Sequence, residues 1–240
     1  MRQPDREQAA LEWLERDRLL HICMSESVRR GHADVLYAGA DGVLLRDDTA
    51  ETIQASFVSA QSMQPWLETI CGSGLDVVAH QDFAEPLLAP LLPGRTGRMN
   101  CYHSVYTKKE PLPETLPEGA SIAPLTLDDA ERAESVYQNA PPGYVTRRIQ
   151  AGVMLGVFYG DELAGFIGEH TEGALGMLEV LPQYRRRGLA SALMAANINA
   201  ALRRGEIPFG QIVTGNEPSL ALSRSLGLEI SQGVITWFFA

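Results

Sequence analysis

The chain is short of cysteine, of positive charge and of long apolar runs, and each shortage removes a class of protein. Three cysteines, Cys23, Cys71 and Cys101, are scattered over 240 residues. An odd number without metal-ligand spacing reads as reduced thiols, so neither a disulfide framework nor a metal cofactor is expected. Lys and Arg number 20 against 30 Asp and Glu, a net charge of −10. Phosphate backbones select basic surfaces, so a nucleic-acid partner is not expected. The longest apolar stretches, Val153 to Tyr159 and Leu189 to Leu202, fall short of the roughly 20 residues that span a bilayer. Residues 1–17 are charged from the start and lack the apolar core of a signal peptide. A cytoplasmic protein with no membrane partner is therefore expected. The dinucleotide fingerprint G-x-G-x-x-G and the Walker A loop are both missing.

What is present suits a folded α/β chain: hydrophobic residues make up 45 % and charged residues 21 %, enough for one large or two small domains with a real core. The composition breaks once, at residues 108–119, where Pro111, Pro113 and Pro117 alternate with charges. Such a stretch neither pairs into a sheet nor continues a helix, and it reads as a linker. The expected domains are residues 1–117 and 118–240.

The first domain opens with helical spacing at Leu11, Leu14 and Leu19-Leu20. Strands are expected at Asp34–Ala38 and Gly42–Leu45, joined through a turn at 39–42, and at Thr52–Val58. A helix at Gln61–Ile70, a strand at Leu75–Ala79, a helix from Phe83 and a strand at Met99–Tyr106 complete a small mixed α/β unit. The second domain reads as a strand at Ser121–Leu125, then a helix capped by Thr126 with Asp128 and Asp129 in its first turn. Pro141-Pro142-Gly143 precedes another helical piece. A hairpin pairs Val153–Phe158 with Leu163–Gly168, and strand Gly176–Leu181 leads to helix Arg187–Leu202. Strand Gln211–Thr214, helix Pro218–Leu226 and strand Val234–Phe239 follow.

The informative stretch is Gly176-Met177-Leu178-Glu179-Val180-Leu181-Pro182-Gln183-Tyr184-Arg185-Arg186-Arg187-Gly188-Leu189-Ala190. A strand runs into a proline, a basic loop, Gly-x-Ala and an apolar helix. A helix start offers unpaired N–H groups and the positive end of the dipole, which suit a pyrophosphate. Gly188 would let a phosphate approach the backbone, because no Cβ intervenes. The plain alternative is a strand–loop–helix connection with an exposed basic cluster.

The stretch resembles the coenzyme A-binding motif R/Q-x-x-G-x-G/A of the GNAT (Gcn5-related N-acetyltransferase) superfamily. Arg185, Gly188 and Ala190 fill its positions, and Val180 and Pro182 fit the V-x-P strand before it. Asn216, Ser219, Leu222 and Leu226-Gly227-Leu228 are similar to the second signature, N-x-x-S/A-x-x-L…L-G-F, with Leu228 where Phe is usual. The wording is most similar to the FR47-like branch, which includes glycine N-acyltransferase-like proteins. The resemblance covers about half the chain and implies an α/β (α+β) GNAT fold with a mixed, splayed central sheet. Residues 1–117 would then be a smaller mixed α/β domain, readable as a degenerate second copy, that shapes the acceptor pocket or a homodimer interface.

The implied activity is acyl-CoA-dependent N-acyltransfer, with acetyl-CoA the commonest donor, to a primary amine of a small molecule or peptide. A non-catalytic acyl-CoA-binding regulatory module is the alternative. By resemblance, Leu178 and Val180 supply backbone groups to the pantetheine and the acyl carbonyl. Arg185, Arg186, Arg187, Gly188, Leu189, Ala190 and Asn216 would hold the rest of the cofactor. Two positions depart from the family: Ser223 stands where many members carry a thiolate-protonating Tyr, and Gln211 where others carry a Glu. The candidate proton-transfer residues are therefore Glu169 and His170, at the end of strand Leu163–Gly168, and Glu179 on the neighbouring strand. Trp237-Phe238-Phe239 reads as core rather than as a substrate cage.

Overall fold

The computed structural model describes residues 3–239; the first two residues of the charged N-terminus and Ala240 lie outside it. Contacts divide the chain into two compact units that are not contiguous in sequence. Unit 1 takes the chain through Val105, then Gln211–Glu217, and everything from Glu229 on; unit 2 takes Tyr106–Gly210 and Pro218–Leu228. The boundary expected after residue 117 is linear in sequence, and the compact units interleave instead.

Unit 1 begins with helices α1 (Gln3–Leu14) and α2 (Ile22–Arg29). Strands β1 (Ala33–Gly39), β2 (Gly42–Asp47) and β3 (Thr52–Phe57) form an antiparallel meander. The helix expected over Gln61–Ile70 is broken into α3 (Ala60–Met63), a 3₁₀ turn and α4 (Leu67–Cys71). Pro65 lies in that turn and has no N–H for the helical ladder. Strand β4 (Asp76–Ala79), helix α5 (Ala84–Leu88) and strand β5 (Gly97–Val105) follow.

In β3 the side chains alternate between two buried environments. Ile53, Ala55 and Phe57 join an apolar cluster with Met63, Ile70, Val77 and Leu88. Gln54 and Ser56 instead meet α2 and the residue before it: Cys23 Sγ lies 3.4 Å from Gln54 Oε1 and Ser56 Oγ 2.9 Å from His21 Nε2.

Unit 2 starts with the proline-rich stretch, which is neither helix nor strand yet is fixed in place. Asn199 accepts from Leu112 N–H at 2.8 Å and donates to Leu112 O at 2.9 Å and to a Glu114 carboxylate oxygen at 2.8 Å. Strand β6 (Ala120–Pro124) leads through a Thr126–Asp129 capping box into α6 (Ala130–Val136), and Gly143 starts α7 (Tyr144–Gln150). Strands β7 (Met154–Tyr159), β8 (Glu162–Glu169) and β9 (Leu175–Val180) extend β6 as antiparallel neighbours. Helix α8 (Leu189–Arg203) follows, then strand β10 (Phe209–Val213), whose Gly210 pairs parallel with Leu175 of β9 and whose residues from Gln211 on belong to unit 1. Helix α9 (Glu217–Ser225) comes next.

Adjacent residues of β8 point to opposite faces. Phe166 packs with Val145 and Ile149 of α7 and Ala133 of α6, and Ile167 with Leu189 and Leu193 of α8. The sheet of unit 2 is thus sandwiched between helices, and both its faces are apolar.

Strands β11 (Glu229–Ile230) and β12 (Ile235–Phe239) return to unit 1, where β12 lies antiparallel between β4 and β5. Phe238 is fully buried in the unit 1 core, as expected of the Trp237-Phe238-Phe239 run. No helix among the described residues is long and apolar enough to cross a membrane.

Candidate active site

The chemistry-bearing stretch of unit 2 is built on an irregular β9. The β8–β9 register passes from Gly168↔Gly176 to Phe166↔Glu179, so Met177 and Leu178 together stand opposite Ile167. Met177 sits at φ 54°, in the left-handed region that residues other than Gly seldom adopt. This is a β-bulge, which takes backbone N–H and C=O groups out of a ladder. On the other side, the ladder to β10 holds the single pair Gly210↔Leu175. β8 thus leaves the ladder at Met177 and Leu178, and β10 pairs with β9 only at Leu175. The Leu178 and Val180 side chains pack partly against the α8 cluster.

After β9, Pro182–Tyr184 form a 3₁₀ turn, and Arg186 and Gly188 adopt φ values of 64° and 81°. Left-handed residues in such a loop turn successive N–H groups toward one point and make an anion-binding concavity. Gly188 is the N-cap of the 15-residue helix α8, and a Cβ placed on it would meet nothing within 4 Å. Open space above the first-turn amides of a long helix fits a pyrophosphate.

The three arginines differ. Arg185 donates to Val180 O at 2.9 Å, closing the loop on its own strand. Arg187 lies over the rings of Tyr159 and Tyr184, 5.9 and 5.5 Å from their centroids. Arg186 is exposed. Leu189 is 1 % exposed and serves the core, leaving only its backbone for a ligand, while Ala190 is half-buried. Asn216 is exposed and falls in unit 1, in the turn after β10, its N–H on Val213 O at 3.0 Å. The two departures from the family pattern are structural residues: Ser223 is 2 % exposed, and Gln211 Oε1 accepts from Trp237 Nε1 at 2.9 Å.

The three proton-transfer candidates have different surroundings. Glu169 is buried and its carboxylate receives Arg204 at 2.6 Å. His170 follows in the tight turn to β9, with its N–H on Ala174 O at 2.8 Å. Its ring folds back over β9: Nε2 stands 2.5 Å from where a Cβ on Gly176 would be. The absent Cβ of Gly176 leaves the ring a seat there, one residue before the bulge. Glu179 is half-buried on β9, and burial raises its carboxyl above the ordinary range while Arg185 acts in the opposite sense.

Two residues absent from the candidate set complete the cluster. Tyr144, first residue of α7, has its hydroxyl 3.0 Å from His170 Nδ1. Tyr137 ends α6, and burial, with Tyr144, Glu179 and Glu172 nearby, pushes its phenol up to about 12. Both tyrosines pack against the cluster containing Met177. The only sequence signal for them is position, since they flank the Pro141-Pro142-Gly143 break between two helices. Among the described residues, no three His, Cys, Asp or Glu side chains come together as metal ligands.

Residues 154–235 match the family model of the FR47-like protein. A Drosophila protein of known structure is similar over 99 % of this chain and 96 % of its own, with a TM-score of 0.69 at 20 % identity. A GCN5-related N-acetyltransferase from Kribbella flavida is similar over 92 % and 95 %, with a TM-score of 0.57 at 16 % identity. A GCN5-related N-acetyltransferase-like protein from Streptococcus suis is similar over the whole of both chains, with a TM-score of 0.56 at 14 % identity. No curated protein matches. The fold is that of the GNAT superfamily. The similarity to the FR47-like family model runs from β7 to the first residue of β12.

Proposed function

We propose that the protein is an acyl-CoA-dependent N-acyltransferase, with acetyl-CoA the first donor to test and a primary amine of a small molecule or peptide as acceptor. One observation carries this reading: the bulged, unpaired middle of β9 runs directly into a left-handed loop whose open glycine starts a long helix. The bulged Met177 and Leu178 stand at one end of this segment and the first-turn amides of α8 at the other, which suits a ligand with a thioester at one end and a pyrophosphate at the other. The first-turn amides of α8, with Arg186, would hold the pyrophosphate; Leu178 and Val180 would offer backbone groups to the pantetheine and the acyl carbonyl. Asn216 is assigned to the cofactor by resemblance alone.

Acyl-CoA, when bound, supplies an acyl group activated as a thioester. Transfer forms a C–N bond, breaks a C–S bond, removes one proton from the amine and leaves a thiol. We assign the amine's proton to Glu179, the half-buried carboxylate that immediately follows the bulge and whose carboxyl burial raises. Glu169 is committed to Arg204 and is a poor choice for that role. Residues 1–117 are proposed to shape acceptor choice or self-association. The test is thiol release from acetyl-CoA over a panel of primary amines, read beside a thermal shift with acetyl-CoA. Turnover with at least one amine is the expected result. A thermal shift without turnover on any amine would favour the non-catalytic binding module, and no shift at all would remove both readings.

A further inference from the structure

Tyr144 and His170 form a chain of hydrogen bonds at the edge of the bulge. The Thr171 backbone N–H donates to the Tyr144 hydroxyl oxygen at 3.3 Å, and that hydroxyl lies 3.0 Å from His170 Nδ1. A phenol has one hydrogen to give. A phenol is a better donor than acceptor and its oxygen already accepts from Thr171, so the basic His170 Nδ1 is the favoured place for its hydrogen. An uncharged imidazole whose Nδ1 accepts must carry its hydrogen on Nε2. That nitrogen is the one seated over Gly176, the residue before the bulge.

The turn that holds this chain is braced from behind. Arg148 donates to Glu169 O at 2.7 Å and to His170 O at 3.2 Å, which fixes the backbone on which the ring rotates. Two further ties set the hydroxyl. The Tyr144 ring packs in the α6–α7 cluster, and the Glu134 carboxylate accepts from Thr146 N–H and Oγ1 at 2.9 and 3.0 Å, holding α6 to α7. Burial and the neighbouring Glu172 raise the Tyr144 phenol, so its hydrogen stays on through the neutral range.

We propose that Tyr144 is a positioning residue that holds His170 in its Nε2–H form, so that His170 acts as a hydrogen-bond donor beside the β9 bulge and not as the proton acceptor. This rests on the acyltransferase reading for its purpose, since a donor there is useful where negative charge develops on an acyl oxygen or a departing sulfur. The tautomer itself does not depend on that reading. The division of labour is then complete: the half-buried Glu179 takes a proton, and His170 offers one in a hydrogen bond without giving it up.

The experiment has two arms. In the first, the protein labelled with ¹⁵N in histidine is compared with Tyr144→Phe by long-range ¹H–¹⁵N spectra, with His170 identified by its loss in His170→Gln. The expected result is a pyridine-like Nδ1 and a pyrrole-like Nε2, both moving toward the exchange average when the Tyr144 hydroxyl is removed. A proton on Nδ1, or spectra that Tyr144→Phe leaves unchanged, overturns the proposal. In the second arm, thiol release from acetyl-CoA is measured with the best amine of the panel. His170→Ala should lower kcat by roughly 10²-fold, the usual cost of a lost transition-state donor. His170→Gln, whose amide N–H reaches the same place but cannot take a proton, should restore most of that loss. Equal loss in both variants would mean that His170 is the proton acceptor. If no amine is turned over, the acyltransferase reading fails by itself, and the spectra still decide the tautomer.

Discussion

Glu169 and Arg204 form an ion pair at 2.6 Å across the end of β8, with the Glu169 side chain 8 % exposed and the Arg204 side chain 42 % exposed. Arg204 also holds Glu206 at 2.6 Å, so one guanidinium serves two carboxylates. Removing Arg204 would leave a buried carboxylate without its partner. Breaking a fully buried pair costs about 3–5 kcal/mol, and the exposure of Arg204 reduces that to about 1–2 kcal/mol here. Arg204→Leu should therefore lower stability in urea melts by that amount. Glu169→Gln, which keeps the shape and a hydrogen bond, should lose less and should keep kcat within about threefold of wild type, since no proton-transfer factor is removed. A 10²-fold fall in kcat for Glu169→Gln would put Glu169 back among the proton-transfer groups.

Gly188 combines a left-handed φ of 81° with open space at its missing Cβ, and the two features predict different things. Any side chain there is strained, so Gly188→Ala should cost about 1 kcal/mol of stability even without ligand. A bulky side chain would also fill the space over the first-turn amides of α8. Acetyl-CoA should raise the Tm of the wild type by mass action and leave that of Gly188→Trp unmoved, each read against its own unliganded baseline. Calorimetric titration should give one coenzyme A per chain. Equal shifts in the two proteins would reject the loop as the pyrophosphate site.

Much of this was legible in the order of residues, and the exceptions have physical causes. The β6–β9 hairpins, α8 and the glycine at its start follow from period-2 and helical patterning together with Gly188, all of which are local. Helix α2 was not legible: Ile22-Cys23-Met24-Ser25-Glu26-Ser27-Val28 lacks an apolar stripe, yet every one of these residues is buried. Its polar residues are buried against polar partners, Cys23 on Gln54 and Ser27 on Asp47, and polar residues buried in this way erase the amphipathic signal. The destination of β12 was hidden too, because its partners β4 and β5 lie over a hundred residues earlier. Glu169-His170 reads as a polar pair at a hairpin tip, and only the packing separates an ion-paired carboxylate from an imidazole seated over Gly176.

The same polar interface in unit 1 makes a pH prediction. His21, His80 and His103 are 3 %, 1 % and 0 % exposed. Burial lowers all three: His80 goes well below the ordinary imidazole value, with His21 and His103 adding to the effect, and His103 falls to about 3. The folded state therefore binds fewer protons than the unfolded chain wherever the pH lies below about 6.5 and above the folded values. Stability is full above that unfolded value and falls as the pH drops through it, with a slope of up to about 1.4 kcal/mol per pH unit for each histidine. Urea melts at pH 8 and pH 5 should differ in midpoint, with proton uptake on unfolding at the lower pH. Replacing His80 by Gln should flatten that dependence. Melts that do not respond to pH between 8 and 5 would contradict the buried, neutral trio.

Glu179 is the residue on which the proposed proton transfer turns. It lies on β9 immediately after the two bulged residues, opposite Phe166. Burial raises its carboxyl above the ordinary carboxylate range, with Arg185 acting in the opposite sense. A raised carboxyl is a stronger proton acceptor once ionised, and its ionisation then falls nearer the working pH. The expected profile of kcat/KM has an acidic limb, rising with pH as the Glu179 proton is lost and level above that point. Glu179→Gln should lower kcat by about 10²-fold, the usual worth of a positioned base, and should remove that limb so that the residual rate follows only the free amine. Acetyl-CoA affinity should stay within about twofold by calorimetry, because the pyrophosphate loop is unaltered, which separates lost chemistry from lost binding. His170→Gln should keep the limb, since in this assignment His170 donates a hydrogen bond and Glu179 takes the proton. A limb that disappears in His170→Gln and persists in Glu179→Gln would exchange the two roles.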